Sequence, residues 1–256
     1  MKKKAQMKAL RVLAPLAIAA LPVALMGPAN AAGGDSWQAT LNPLNHSGGS
    51  GMATVSVSGD TANIHVSWSG LASTFGGNAY PHVQHIHIGA AGTCPGPSAD
   101  KNGDGVISTT EGGSAYGAIG TTLSVKGDTS PAAGTNIKIA PSGSSTDYHR
   151  SIKLSSDTLS SLRDGTGVVV VHGLDPATLS KKAQKEKSDL VPSLPLAATS
   201  PALCGALTAM PTGGVATGNG STAGLEDAGL LGAGGAMIAA GAGLFAARRR
   251  RATSQA

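Results

Sequence analysis

Residues 53–68 read ATVSVSGDTANIHVSW, and the spacing of apolar residues in this stretch decides the fold. Successive side chains of a β-strand point to opposite faces. Ala53, Val55 and Val57 therefore share one face, Ala62, Ile64, Val66 and Trp68 share a face of the next run, and Gly59-Asp60 forms the turn between them. Asn63, His65 and Ser67 take the outward face. This is a hairpin with one side turned to a core. Short runs of the same kind, separated by Gly, Ser, Asn, Asp and Pro, recur at Trp37 to Leu41, Val83 to Ile88, Ala115 to Leu123, Ile137 to Ala140, Tyr148 to Leu154, Val168 to His172 and Leu203 to Ala209. The expected fold is all-β, a Greek-key sandwich or barrel. Only Ser156 to Arg163 and Ala177 to Lys187 have helical character, and no internal repeat is evident.

Both ends of the chain carry addresses. MKKKAQMKALR is a basic leader, Val12 to Met26 an apolar segment, and Ala29-Asn30-Ala31 a small-x-small cleavage site. That order is expected of a secretory signal over residues 1–31. The β domain is expected over 32–210, a Gly/Ser/Thr-rich linker over 211–227, a transmembrane helix over the uncharged residues 228–247, and a basic cytoplasmic tail over 248–256. At about 1.5 Å per residue, such a span crosses a hydrocarbon core of roughly 30 Å. Arg248 to Arg251 follow it directly, and positive charge stays on the cytoplasmic side. The domain is thus expected outside the cell, held at the membrane by its C-terminus.

These addresses change the meaning of the net charge of +5. Nine of the 19 Lys and Arg residues sit in the two terminal segments, leaving 10 basic and 14 acidic residues in the exported part. The exported part is acidic and carries no nucleic-acid motif, so no nucleic-acid partner is expected. No G-x-S-x-G elbow or phosphate-cradling glycine loop is present either.

Three features of the domain carry chemistry. In PHVQHIHIG, residues 81–89, His85 and His87 share a strand face with Val83, and His172 closes the apolar run of VVVVHGLD, residues 168–175. Imidazoles so placed are candidate metal ligands, suited to copper, zinc, iron or nickel alike. Cys94 and Cys204 are the two cysteines of a chain bound for an oxidising compartment, and a disulfide is expected between them. DKNGDGVISTTE, residues 100–111, has the form of a 12-residue calcium loop. Asp100, Asn102, Asp104, Ser108 and Glu111 supply side-chain ligands, Val106 its carbonyl, and Gly105 the sharp turn. The flanks PGPSA and GGSAY are poor helix formers, so the loop is expected without a helix pair.

HIHIGAAGTC, VVVVHGLD and PALCGAL occur in the order in which Cu,Zn superoxide dismutases carry their HxH strand and first cysteine, their later copper histidine and their closing Cys-Gly. The chain resembles that family, and WQATLNPL with HIHIGAAG also resembles a CHRD domain, a secreted β-domain named from chordin. The resemblance implies a barrel-like fold, copper on His85, His87 and His172, and a Cys94–Cys204 bridge tying a loop to the barrel. Two departures matter. Ser98 follows Gly96-Pro97 where the family has the histidine that bridges copper and zinc, and Pro201 stands where it has its anion-guiding arginine. The zinc-binding histidines and aspartate are also missing, so zinc is not expected.

Of the remaining histidines, His82 has the opposite parity to His85 and joins them only through a bulge, His65 is expected in solvent, and His46 lies in a turn. His149, in DYHR, either approaches a site or faces water. LSKKAQKEKSD, residues 179–189, is expected as a solvated helix. The functional expectation is a surface-tethered β-domain that binds calcium and copper in a binding or structural role. The alternatives are a copper-dependent dismutase and an adhesion module for an envelope or wall component. The tail resembles the sorting segments of wall-anchored Gram-positive surface proteins, although MPTGG at 210–214 is not LPxTG. Deletion of residues 228–256 is expected to release the domain into the medium, as fractionation and immunoblotting would show. Unchanged retention would remove the anchor.

Overall fold

The computed structural model describes residues 35–211. The signal segment, the linker from residue 212 onward, the expected membrane span and the basic tail lie outside the described residues. Among the described residues no helix is long and apolar enough to cross a membrane.

One curled antiparallel sheet organises the domain. Its strands are β1 (Asp35–Pro43), β2 (Ser50–Ser58), β3 (Thr61–Ser69), β6 (Gln84–Ile88), β7 (Ala118–Thr122), β8 (Ser145–Lys153), β9 (Val168–His172), β10 (Pro201–Ala206) and the short β11 (Thr208–Ala209). Between β3 and β6, β4 (Thr74–Phe75) and β5 (Asn78–Ala79) form a separate two-stranded ribbon. The order across the sheet is β7-β6-β9-β10-β1-β2-β3-β8, with β11 also on β1. β2 and β3 form the expected hairpin, with Ala53 opposite Val66 and Val55 opposite Ile64, all four buried. β1 joins the two halves of the sheet, since Asp35 to Leu41 pair with β2 while Asn42 and Pro43 pair with Cys204 and Leu203 of β10. β7 and β8 end the sheet without pairing. The Arg150 guanidinium of β8 instead donates to the Ser124 carbonyl and hydroxyl, at 2.7 and 2.6 Å, and to the Gly127 carbonyl at 2.6 Å.

The run Val168 to Val171 is fully buried on both faces. Val169 and Val171 enter the main core with Leu41, Val55, Val66, Trp68 and Ile86. Val168 and Val170 pack on the opposite face with Tyr116 and Cys204. This is why β9 reads as a continuous apolar run and not as an alternation. The Cys94–Cys204 disulfide is formed and closes 110 residues of chain. A loop of that length corresponds to about 4 to 5 kcal/mol in the chain-entropy account.

The helices are α1 (Thr109–Tyr116), α2 (Ser156–Arg163) and α3 (Leu196–Thr199). α2 coincides with the sequence expectation, and the Ser155 hydroxyl caps it by accepting from Thr158 N–H at 3.2 Å. Three expectations are corrected. Ala115 to Leu123 is not one strand, because α1 runs to Tyr116 and Gly117, at φ +88°, breaks the chain before β7. Residue 117 also has no room for a side chain, since a Cβ there would lie 2.0 Å from the Ile88 carbonyl oxygen. Ile137 to Ala140 is a 3₁₀ turn, Ile137–Ile139, capped by Asn136 Oδ1 accepting from Lys138 N–H at 3.1 Å. Ala177 to Lys187 is not a helix but two separate 3₁₀ turns, Pro176–Thr178 and Ala183–Lys185. There the Asp175 carboxylate draws the backbone into a turn by accepting from Ala177 N–H.

Candidate metal centre

Strand register brings His85, His87 and His172 together. In the β6–β9 ladder His85 lies opposite Val170 and His87 opposite Val168, so the two histidines share the face of Val168 and Val170. His172 is two residues beyond Val170 and falls on the same face. Gln84 and Ile86 point the other way. Gln84 is buried there with both ends satisfied, accepting from Trp68 Nε1–H and donating to the Leu123 carbonyl. A register shift in the β6–β7 ladder falls between Ile86 and His87. Ring centroids are 5.4 Å apart for His85 and His87, 5.2 Å for His85 and His172, and 5.8 Å for His87 and His172. One nitrogen from each ring lies within 4.8 Å of the other two.

The rings are held by their outer nitrogens. His85 Nε2 lies 2.9 Å from the Gly134 carbonyl, His87 Nδ1 2.9 Å from the Gly117 carbonyl and His172 Nδ1 2.7 Å from the Thr199 carbonyl. A carbonyl only accepts, so each outer nitrogen carries the proton and the other nitrogen keeps a lone pair. His85 Nδ1, His87 Nε2 and His172 Nε2 are those nitrogens, and all three are buried without a hydrogen-bond partner. Burial, and for His85 and His172 the neighbouring imidazoles, disfavour protonation. His85 is pushed well below its ordinary 6.5, His87 to about 4 and His172 to about 3. Neutral rings with converging lone pairs and carbonyl-anchored outer nitrogens have the form of metal-ligating histidines. The residues present therefore fit a borderline transition-metal ion.

The centre lies on the floor of a cavity of about 500 Å³ walled by residues such as Val83, Ile119, Leu194 and Ala198. His82 does not join it. It is fully buried between the His172 and Ala72 carbonyls, each 2.9 Å from a ring nitrogen. His65 and His149 form a second cluster on the outside of the sheet, opposite each other in the β3–β8 ladder. Their rings stack with centroids 3.9 Å apart, and Nε2 of each faces Asp147 Oδ1, at 2.7 and 3.2 Å. This cluster satisfies itself through polar contacts to Asp147 at the surface, whereas the buried one leaves three nitrogens unmatched.

The calcium-like loop is ordered by its own backbone. Asp100 accepts from the amides of Gly103 and Gly105, Asn102 from Asp104, and Asp104 from Val106. Glu111 Oε1 accepts from Lys101 and Asn102, and Oε2 from Ser108. As expected there is no helix pair, but one helix, α1, starts within the loop at Thr109. Ser108 and Glu111 form a capping box that starts α1, which outweighs the poor propensity of its two glycines. Before the loop there is only the 3₁₀ turn Pro97–Ala99. Glu186 faces Asp104, and that carboxylate contact raises the Glu186 pKa.

No family model matches the chain, so the CHRD resemblance stays one of short motifs. No curated protein matches it either. Among solved structures the chain is similar to a mutant of superoxide dismutase 5 from Candida albicans, at 16% identity and a TM-score of 0.38, over 73% of this chain and 98% of that one.

The buried imidazoles set a pH dependence. They are neutral in the folded protein down to about pH 4 for His87, but titrate near 6.5 when unfolded. As pH falls below 6.5 the unfolded chain takes up protons first, so stability is present above that pH and lost on the way down. The expected slope reaches about 1.4 kcal/mol per pH unit for each such imidazole. Denaturant midpoints of metal-free protein between pH 7.5 and 5 test this, and a flat profile would show that the rings are not buried in the neutral form.

Proposed function

We propose that this protein is an exported β-domain that holds one copper ion on His85, His87 and His172, in a binding role. The observation that carries this reading is the set of three partnerless inward nitrogens, His85 Nδ1, His87 Nε2 and His172 Nε2. Leaving a buried polar atom unmatched costs roughly 1 to 3 kcal/mol, and a bound cation is what removes that cost here. All-imidazole ligation suits copper most strongly among the common divalent ions. The order of HIHIG, VVVVHG and LCG motifs supports copper over zinc, as does the absence of the family's zinc-binding set. When bound, copper supplies one-electron exchange. The chain's own residues keep the three rings neutral, fix their orientation through the Gly134, Gly117 and Thr199 carbonyls, and keep bulk water from the floor of the site.

Dismutase turnover is the second reading, favoured by the opening of the histidines onto a cavity. Against it, no charged side chain lines that cavity to draw in an anion. Ser98 and Pro201 replace the bridging histidine and the guiding arginine. Copper is expected to bind at 1:1 stoichiometry by metal analysis, and His87→Ala to abolish binding while circular dichroism of the sheet is retained. Superoxide turnover is expected far below the diffusion-limited rates of about 10⁸ to 10⁹ M⁻¹s⁻¹. Equal copper content in wild type and variant would overturn the centre, and fast copper-dependent dismutation would overturn the binding role.

The second metal in this reading is calcium, on Asp100, Asn102, Asp104, Val106, Ser108 and Glu111. The complete ligand pattern supports it. So does the Asp104–Glu186 contact, because two facing carboxylates call for a shared proton or cation. Calcium in the range of about 0.1 to 1 mM is expected to raise the melting temperature, and Glu111→Gln to remove most of the rise. Equal stabilisation of both proteins would refute the site.

A further inference from the structure

The outer face of the sheet carries a second set of convergent ligand atoms. β3 and β8 run antiparallel, with His65 directly opposite His149 and Ser67 opposite Asp147. Asp147 and His149, two residues apart on β8, share that face, while Tyr148 between them is buried. The three side chains thus stand at neighbouring positions of one pleated surface, and Ile64, Val66 and Tyr148 fix the backbone beneath them in the core.

His65 Nε2 lies 2.7 Å and His149 Nε2 3.2 Å from the same oxygen, Asp147 Oδ1, and the three atoms lie within 4.8 Å of one another. Zinc holds imidazole nitrogen and carboxylate oxygen at about 2.0 to 2.2 Å, so its tetrahedral ligand atoms stand roughly 3.4 Å apart. A shift of less than about 1 Å in these surface side chains brings both nitrogen–oxygen separations to that value. Among the described residues no group but Asp147 is hydrogen-bonded to either ring, so each Nδ1 is available to hold the ring proton and leave Nε2 its lone pair. An ion can therefore take the place of the two Nε2 protons between the same three atoms, the protons moving to Nδ1. The side chains are 40% (His65), 63% (His149) and 73% (Asp147) exposed, which lets a metal enter and keep water on its remaining positions without the cost of burying charge. Arg150, which lines the neighbouring cleft, is turned away, its guanidinium bonded to Ser124 and Gly127.

We propose that His65, Asp147 and His149 form a surface site for a divalent ion of the zinc class, held by two imidazoles and one carboxylate with water completing its coordination. The ion clamps the edge of the sheet, because β8 is paired to β3 alone and the site spans the two strands. The site shares no residue with the buried histidines or with residues 100–111, and stands whether or not those bind metal. The full chain carrying His87→Ala, freed of metal with a chelator, is titrated calorimetrically with zinc at pH 7.5 in excess calcium. One saturable zinc equivalent is expected, and Asp147→Asn and His149→Ala are each expected to weaken it at least about tenfold. Asp60→Asn, which removes an exposed carboxylate paired with Lys153 at the β2–β3 turn, is expected to leave it unchanged. Zinc is expected to raise the melting temperature of the parent and of Asp60→Asn, but not of the two ligand variants. In the otherwise wild-type chain the same two ligand substitutions are expected to remove one zinc equivalent, which frees the test from the His87→Ala background. No saturable zinc binding by either parent, equal affinity in parent and both ligand variants, or an equal loss in Asp60→Asn would overturn the assignment.

Discussion

Burial of Val168 to Val171 on both faces is the constraint on which the rest of the structure depends. A strand so enclosed needs a ladder on each side and packing above and below, and β6, β10, the main core and the Tyr116–Cys204 cluster supply them. Full burial of one valine is worth about 1.5 to 3 kcal/mol, so four in succession leave little freedom for β9 to slip. Because β9 cannot slip, the position of His172 relative to β6 is set to the residue. A one-residue shift would turn His172 into the opposite face and dissolve the cluster. The disulfide reinforces the same register, since Cys204 lies directly opposite Val170.

Against this apolar frame the histidine cluster is a deliberate exception. Buried polar atoms in folded proteins are nearly always matched, and the outer nitrogens of the three rings are matched well. The inner ones are not, and they converge. His65 and His149 provide the contrast, because the same residue type on the solvent side of the sheet finds a partner in the Asp147 carboxylate. A fold that satisfies its surface histidines and buried His82, and leaves one nitrogen unmatched on each of His85, His87 and His172, has spent stability at that cluster, as functional sites do.

Much of the fold was legible in the order of residues because a half-buried strand writes its two faces as alternation. The β2–β3 hairpin and β8 follow from that pattern, β9 follows from its unbroken apolar run, and the shared face of His85 and His87 follows from parity alone. The turns at Ile137–Ile139, Pro176–Thr178 and Ala183–Lys185 did not, because they are set by single side-chain caps and by packing instead of by a period. α1 had a readable signal, Ser108 and Glu111 at capping-box spacing, which the two glycines obscured. The carbonyls of Gly117, Gly134 and Thr199 carry no side-chain signature at all. The His65–Asp147–His149 cluster depended on a β3–β8 crossover, which joins residues 82 positions apart and is not encoded locally. The cavity is dispersed in the same way, with walls drawn from segments scattered between residues 81 and 199.

The three carbonyls that hold the rings belong to three separate connections, one after α1, one after the 3₁₀ turn Pro131–Ala133 and one at the end of α3. A fragment of the chain therefore contains imidazoles but no arranged site. A proteolytic nick in any one of these connections would free one ring to rotate while the valine-rich strand stayed in place, dispersing the cluster well before the sheet melted. The mutual arrangement of the three rings is thus a gauge of whether the loops are intact, a finer measure of molecular integrity than the presence of the folded sheet.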